Sequence, residues 1–513
     1  MLSIQNKQTK QKQYDIVLST LNARYIHSAF GLRYLHANLG ELQSDSAIAE
    51  FTLESRPEDI VESLLLHQPK IIGFGVYIWN VRQVEQVVGL LKVIAPQVQI
   101  ILGGPEVSYE LDTQPIVELA DFVITGWGEV SFKELCLDLL NNTSAAQKVI
   151  KGQQPKLTEI VMPYQFYTDE DIKNRILYVE ASRGCPFKCE FCLSALDKTA
   201  WPFELDLFLA EMDILYQRGA RHFKFVDRTF NLKIKNSLRI LEFFLERLDD
   251  DLFLHFEVIP DHLPEALKIE IAKFPAGSLQ FEIGIQTFNP EVQTRISRRQ
   301  DNHQAQQNLQ WIRENTNAYI HADLIFGLPG ETLESFAQSF DTLHGLAPHE
   351  IQVGILKRLK GSPIVRHTQE HKLAFNPNPP FSIVSSDTVS YVQVQKMNRF
   401  ARYWDLIGNS GRFKNSLPLL LLDQPFFNFQ KFTDALFDRT GQTHKISLLR
   451  LYDFMFDIAV EEFAIDENAM RMAISADFEN SGLKSIPKSL RAAKTQTVAK
   501  QSVKRHNSRQ SRH

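Results

Sequence analysis

ASRGCPFKCEFCLSAL, residues 181–196, holds three of the chain's four cysteines, Cys185, Cys189 and Cys192. Their C-x3-C-x2-C spacing puts three thiolates on one short loop. That is enough to hold three irons of a cubane 4Fe-4S cluster and to leave the fourth iron without a protein ligand. An iron with an open position implies chemistry. Other readings of the cysteines fit less well. A disulfide framework calls for an even set in a small secreted chain, whereas this chain has 513 residues and starts without a charged region leading into an apolar one. Structural zinc calls for four ligands, usually as two C-x2-C pairs or Cys with His, and the loop holds one such pair and no His. Inert buried cysteines belong on a strand or helix face, not in a loop with Gly, Pro, Lys and Glu.

Outward from the loop, short apolar runs alternate with helical patterns. ILYVEAS (176–182) leads directly into the cysteines, and HFKFVD (222–227), LFLHFEVI (252–259), LQFEIGIQ (279–286), IHADLIFG (320–327) and EIQVGILK (350–357) follow. Amphipathic stretches separate them, among them FELDLFLAEMDILYQRG, KNSLRILEFFLERL, LPEALKIEIAKF and LESFAQSFDTLHGL. Six βα units predict a partial (β/α) barrel over residues 173–390, with the cysteine loop after the first strand, where barrels place their chemistry. At the same mouth fall Glu282 and Gln286 on the fourth strand, Arg298 and Arg299 beyond it, and Asp227 and Asn231 after the second.

Residues 14–142 read as a separate α/β domain. YDIVLSTL, FTLE, KIIGFGVYI, VQIILGGPE and DFVITGWGE are candidate strands, with helical patterns between them, so a doubly wound parallel sheet is expected. Ligands of such sheets sit at the carboxyl ends of the strands. Those ends carry Thr20, Leu21 and Asn22; Gly75, Val76 and Tyr77; Gly103, Gly104 and Glu106; and Gly126, followed by Trp127, Gly128 and Glu129. A glycine pair after a strand is often only a turn, but paired glycines are also what close approach of a ligand to backbone requires.

Residues 143–172 read as a linker, and 391–483 as a helical domain rich in aromatic stripes. Residues 1–13 and 484–513 have the composition of disordered tails. The latter carries nine Lys and Arg and no Asp or Glu, while the whole chain is at −5. A basic tail allows contact with RNA or an anionic surface, although a solvated appendage is the simpler reading. No apolar run reaches the roughly 18–20 residues of a membrane span. A reducing, cytoplasmic location is expected.

GCPFKCEFC, with Phe191 before the third cysteine, resembles the cluster loop of the radical S-adenosylmethionine superfamily. The resemblance implies that S-adenosylmethionine chelates the open iron and that its cleavage yields a hydrogen-abstracting radical. It further implies an electron donor of flavodoxin or ferredoxin type. Phe191 is then expected near adenine, Gly327, Leu328, Pro329, Gly330 and Glu331 resemble the adenine-contacting fifth strand, and Glu282 and Gln286 fall where ribose and methionine bind. Either Arg298 or Arg299 is a candidate for the methionine carboxylate, the alternative being a solvated helix face. LNARYIHSAFGLRYL together with the glycine-bearing strand ends resembles the cobalamin-binding domain that precedes many such cores. The D-x-H-x-x-G string of many cobalamin domains is absent; His27, four residues before Gly31, is the nearest candidate for a lower cobalt ligand, against a histidine with only local hydrogen bonds. ARYWDLIGNSGRF resembles the helical C-terminal extension of a bacterial group of cobalamin-binding radical S-adenosylmethionine proteins.

Methylation of an unactivated carbon of an unknown substrate is the expected activity. A radical oxidoreductase, cyclase or rearrangement enzyme is the alternative, as is a non-enzymatic cobalamin sensor, which has no need of an open-iron cluster. A methylthiotransferase acting on tRNA calls for three further amino-terminal cysteines, where this chain has only Cys136.

Overall fold

Strand β1 (Ile16–Asn22) is buried along its whole length, as a central strand of a parallel sheet covered on both faces is. Its alternate residues enter different cores: Val17 and Leu21 pack into one cluster and Ile16 and Leu18 into the other, the period of two that a strand imposes. In the computed structural model, which describes residues 12–143, 147–197 and 199–491, β1 pairs in parallel with β2 (Ser46–Thr52) and β3 (Ile71–Gly75). Beyond them lie β4 (Gln99–Gly103), β5 (Phe122–Thr125) and β6 (Val149–Lys151), and the sheet order is β2-β1-β3-β4-β5-β6. The order reverses at β1, so the strand ends beside it form the crevice of a doubly wound sheet.

Two of these strands depart from the expectation. β2 begins five residues upstream of FTLE and shares only Phe51 and Thr52 with it, because the half-buried edge run SAIAEFT carries too few large apolar residues to stand out. β6 comes from the segment read as linker; VIK is only three residues long and two of them are exposed, too short a run to read as a strand.

The second sheet is β7 (Leu177–Val179), β8 (His222–Phe225), β9 (Phe253–Val258), β10 (Leu279–Gln286), β11 (Tyr319–Phe326) and β12 (Glu350–Ile355), each parallel to the next in chain order. It stays open between β7 and β12. This is the six-unit partial barrel. One helix around it, Asn302–Asn315, has no counterpart in the sequence reading. Its polar composition hides an apolar stripe of Ala305, Leu309 and Ile312.

After β12 the chain forms a short 3-10 turn, Pro363–His367, and a two-stranded hairpin of Ala374–Phe375 with Ile383–Ser385. The C-terminal helices, chiefly Tyr391–Leu406, Pro425–Thr440, Leu448–Phe463 and Glu467–Glu479, share one continuous core with the barrel. Phe340 on a barrel helix meets Phe400, Trp404 and Phe426 at 4.8–5.8 Å between ring centroids. Of the expected tails, residues 1–11 and 492–513 lie outside the described residues. Residues 488–491 form a helical turn whose Ser489 N–H and hydroxyl both donate to Asp453 (3.0 Å).

A buried charge network joins the two sheets' domains. Arg33 bridges Glu50 (2.7 Å) and Asp171 (2.8 Å), and Arg175 reaches both carboxylates (3.2 and 3.4 Å). Glu106 pairs with Lys360 at 2.9 Å. The relative placement of the domains is thus fixed by charged groups that have exchanged water for one another.

Candidate active site

The cysteine loop leaves β7 and is clipped at its neck by an antiparallel pair, Ser182–Arg183 with Trp201–Pro202. Gly184 at φ +95° starts the loop where a Cβ would stand 2.8 Å from the Thr199 carbonyl, so the neck can close only around glycine. Inside it, the Cys185 N–H donates to Asp197 O (3.0 Å) and the Cys192 N–H to Cys189 O (3.1 Å). Cys185 and Cys189 are buried and Cys192 is half-buried. All three line a cavity of about 270 Å³ at the carboxyl ends of the barrel strands. Burial pushes the Cys185 and Cys189 thiols up, and at Cys189 the Arg298 guanidinium, 3.6 Å from Sγ, pulls the other way. Three convergent thiols beside a fixed cation are a donor set suited to a cluster that must be bound as thiolates.

The other wall of this cavity brings together Phe191, Glu282, Gln286, Arg298 and Arg299 from the sequence reading. Gln286 sits at φ +69° at a register shift in β10, and its amide lies over Gly284, whose missing Cβ would be 2.4 Å from Nε2. A glutamine held left-handed over a glycine is a strained arrangement of the kind found where side chains are aimed at ligands. Glu282 accepts from His255 Nε2 (3.0 Å) and pairs with Lys224 (3.4 Å); these groups outweigh burial and hold its carboxyl well below the usual range. Arg228 and Asp323, which the sequence reading passed over, line the same cavity. Arg228 binds Glu257 through both carboxylate oxygens (2.7 and 2.9 Å). Its position directly after Asp227 at the end of β8 was the available signal.

A second cavity, of about 770 Å³, opens at the carboxyl ends of β3, β4 and β5. Gly75, Tyr77, Gly103, Gly104 and Gly126 line it, together with Gly31, Trp127 and Glu129. Gly104 has φ +107°, and a Cβ there would lie 2.6 Å from Val76 O; a Cβ on Gly103 would meet only Ile124 O, at 3.8 Å. The Gly103 position is therefore open toward the cavity. Glycine-lined floor, Trp127 and this volume fit a large planar cofactor.

Between the two cavities stands one 3-10 turn, Leu193–Leu196, that continues the cysteine loop. Leu193, Leu196 and Asp197 face the larger cavity, whereas Cys192, Ser194 and Ala195 face the smaller. Beside it Arg183 bridges Glu129 of the first domain (2.6 Å) and Glu180 of the barrel (2.5 Å), its guanidinium 4.6 Å from the Trp127 ring and 4.7 Å from Tyr34. The sequence reading named Glu129 but had no means of pairing it with Arg183.

Several expected contacts lie elsewhere. Thr20 is buried, its hydroxyl donating to Gly75 O (2.7 Å), and Leu21 O accepts from Trp79 Nε1 (3.2 Å) and Asn80 Nδ2 (3.1 Å). Asn22 donates to Glu50 (2.6 Å) and to His27 O (3.0 Å). His27 Nδ1 meets Tyr178 OH at 2.7 Å on the barrel side, and burial lowers its basicity; the histidine does not line the cofactor-sized cavity. Val76 is covered, with its N–H donating to Gly103 O (2.8 Å), and Glu106 is spent on Lys360. On β11 the Gly327, Leu328, Pro329 and Gly330 turn packs against the 356–383 segment rather than lining the cysteine cavity. Leu328 is fully buried with Ile364 and Ile383, and Pro329 O accepts from Arg295 (2.8 Å). Glu331 accepts from the Thr287 hydroxyl (2.5 Å) and burial pushes its carboxyl up to about 8. Asp227 accepts from Ser182 Oγ (2.6 Å) and Ala181 N–H (3.0 Å), and Asn231 ties Ile259 and His262, so both brace the mouth without lining the cysteine cavity.

Comparison with known families matches residues 16–136 to the B12 binding domain, 179–343 to the Radical SAM superfamily, and 369–512 to a family described as Protein of unknown function (DUF4080). The chain is 24% identical over 331 residues to "Uncharacterized methyltransferase PH0819" of Pyrococcus horikoshii, covering 59% of this chain and 70% of that protein. It is 24% identical over 338 residues to "Cobalamin-dependent radical SAM methyltransferase TokK" of Streptomyces tokunonensis, covering 56% of this chain but only 47% of the relative. Among solved structures, the cobalamin-dependent S-adenosylmethionine radical enzyme OxsB, with aqua-cobalamin and S-adenosylmethionine bound, has a TM-score of 0.60 at 13% identity, covering 92% of this chain and 85% of that one. The radical S-adenosylmethionine methyltransferase TsrM of Kitasatospora setae has a TM-score of 0.56 at 17% identity, covering 68% and 74%. No described helix is long and apolar enough to cross a membrane.

Proposed function

Since the chain belongs to the radical S-adenosylmethionine proteins that carry an amino-terminal cobalamin-binding domain, we propose that it is a methyltransferase acting on an unactivated carbon. The observation that carries this reading is the shared partition: one short turn, continuous with the cysteine loop, walls both the thiol cavity and the glycine-lined cavity. Two cofactors separated by four residues can act on one substrate, whereas a sensor needs only the second chamber. Two relatives that bear the name methyltransferase support the same choice.

In this reading the cluster and S-adenosylmethionine supply the hydrogen-abstracting radical, and the corrinoid carries the methyl group. Cys185, Cys189 and Cys192 hold the cluster as thiolates, and Arg298 favours the ionised sulfur of Cys189. Arg298 and Arg299 face a carboxylate, while Glu282 and Asp323, on the facing strands, suit an ammonium group. Phe191 and Gln286 orient the rest of the molecule. Gly75, Gly103, Gly104 and Gly126, with Tyr77 and Trp127, bed the corrinoid face. Electrons come from a flavodoxin- or ferredoxin-type donor, and a reducing cytoplasm suits the cluster.

The test is anaerobic incubation of the cluster-reconstituted, cobalamin-loaded protein with methyl-deuterated S-adenosylmethionine, reductant and a metabolite extract from cells lacking the protein. Labelled product in equal amount to 5'-deoxyadenosine is expected, with both lost in Cys189→Ala. Radical cleavage without label transfer would assign the protein to the oxidoreductases, cyclases and rearrangement enzymes instead. No cleavage at all would leave only the sensor.

A further inference from the structure

Next to the cysteine loop, and lining neither cavity, the segment after β12 carries His367-Thr368-Gln369-Glu370-His371. It is tied to the loop through Glu190, whose carbonyl accepts from the Ile364 N–H (3.0 Å). The His371 N–H donates to His367 O (3.0 Å), one helical turn that brings the two imidazoles to one side, 6.1 Å between ring centroids. One ligand atom each from His367, Glu370 and His371 lie within 4.8 Å of one another. Both histidines are buried, His367 6% and His371 8% exposed, while Glu370 reaches solvent.

The proton positions are set by carboxylates. His371 Nδ1 lies 3.1 Å from Asp387 Oδ2, and an ionised carboxylate only accepts, so Nδ1 carries the hydrogen and Nε2 the lone pair. That Nε2 is buried and has no hydrogen-bond partner. A buried acceptor left unmet is unfavourable, since it has lost water and gained no donor in exchange. An imidazole backed by a carboxylate with its far nitrogen bare is the usual setting of a metal-bound histidine. His367 Nε2 is engaged by Glu190 Oε2 at 2.8 Å, a shorter contact than the 3.3 Å to Arg366 Nε, which leaves Nδ1 for a ligand. Around the site stand the carboxylates of Glu190, Glu370 and Asp387 against the guanidiniums of Arg366, paired with Glu190, and Arg295, which lies with His371 against Gly330.

We propose that His367, Glu370 and His371 bind a divalent cation of the zinc class, separate from the cluster cysteines. Two imidazoles and a carboxylate with a water in the fourth position are a known zinc donor set, whose ligand atoms at about 2.0–2.1 Å from the ion stand roughly 3.4 Å apart. The exposed Glu370 side chain supplies the remaining approach by a change of rotamer. Since His367 bonds Glu190, which lies between Cys189 and Cys192, the ion anchors the cluster loop.

The experiment uses the full-length, tag-free chain with Cys185, Cys189 and Cys192 changed to Ser, alongside the cluster-reconstituted wild type, both stripped with a chelator and titrated with zinc. One zinc per chain is expected in both, by mass spectrometric metal analysis, and cobalt in its place should give d–d bands without sulfur-to-metal charge transfer. His371→Ala and Glu370→Gln should weaken binding at least tenfold, and Asp387→Asn about 10–100-fold, as loss of a carboxylate behind a metal-bound histidine does. Zinc bound only when the cysteines are present, or with equal affinity in Glu370→Gln and His371→Ala, overturns the site. Glu370 is on the surface, so its variant carries the test even where His371→Ala fails to fold. Binding in the serine-substituted chain is read independently of whether the methyltransferase reading holds.

Discussion

Arg183 stands between two buried carboxylates of different domains, Glu129 (2.6 Å) and Glu180 (2.5 Å), whose side chains are 8% and 9% exposed. Replacing it with Met keeps most of the apolar stem packed on Trp127 and Tyr34 but leaves both carboxylates unpaired. Each contact is worth about 4 kcal/mol in an effective dielectric of about 20, and most of that is spent on taking the ions out of water. What remains after loss of one partner is the cost of the stranded charges, about 3–5 kcal/mol. Arg183→Met should therefore lower the free energy of urea unfolding by that amount, followed by tryptophan fluorescence, to which Trp127, whose ring faces the guanidinium at 4.6 Å, contributes, and by circular dichroism. The triple variant Arg183→Met, Glu129→Gln, Glu180→Gln removes the stranded charges and should recover at least half of the loss. A single variant within about 1 kcal/mol of wild type, or a triple variant no more stable than the single, refutes the reasoning.

Burial pushes Asp227 up to about 7, whereas the unfolded carboxyl ionises near 4. The folded chain keeps a proton that the unfolded chain has lost, so stability falls as pH rises between those values, by up to about 1.4 kcal/mol per unit, and levels off above. Asp227→Asn should flatten that slope in unfolding curves taken from pH 4.5 to 7.5, and an unchanged slope counts against it. Gly104→Ala, forced into a left-handed backbone 2.6 Å from Val76 O, should cost about 1–3 kcal/mol of stability. Gly103→Ala, with its nearest neighbour at 3.8 Å, should leave the fold intact yet weaken cobalamin binding about tenfold or more, roughly 1.4 kcal/mol; equal affinity by equilibrium dialysis would place the corrinoid elsewhere. Arg298→Met removes the cation 3.6 Å from Cys189 Sγ, so the thiol should ionise at higher pH and cluster assembly slow at pH 7 and recover at pH 8.5. Assembly rates that match wild type at both values, followed by absorbance and iron content, would remove Arg298 from that role.

The barrel was legible because every strand carries buried apolar residues at alternate or consecutive positions, as in HFKF and LQFEIGIQ, with amphipathic helices between them, and the cysteine spacing fixed the mouth. β6 and the helix Asn302–Asn315 were not, since an exposed edge and a polar helix owe their existence to the surfaces they pack on. Among the named glycines, Gly75, Gly103, Gly104 and Gly126 line the larger cavity, where a missing side chain leaves space, whereas Gly327 and Gly330 do not line the cysteine cavity. Polar strand-end residues were read poorly. Thr20, Asn22 and Glu106 face partners whose identity depends on pairings across the sheet and across the domains, with Glu106 meeting Lys360 far along the chain. Arg183 and Glu129, 54 residues apart, show the same limit.

The turn Leu193–Leu196 has two audiences. A substitution that reshapes its outer face for a different corrinoid fit also shifts the backbone that sets Cys192 and Ser194. Drift in one chamber is thus inherited by the other, and the two cannot be exchanged between relatives as separate modules. A chimera that grafts a foreign amino-terminal domain onto this barrel has to carry residues 193–197 from the donor, or recover them by selection, before it can regain turnover.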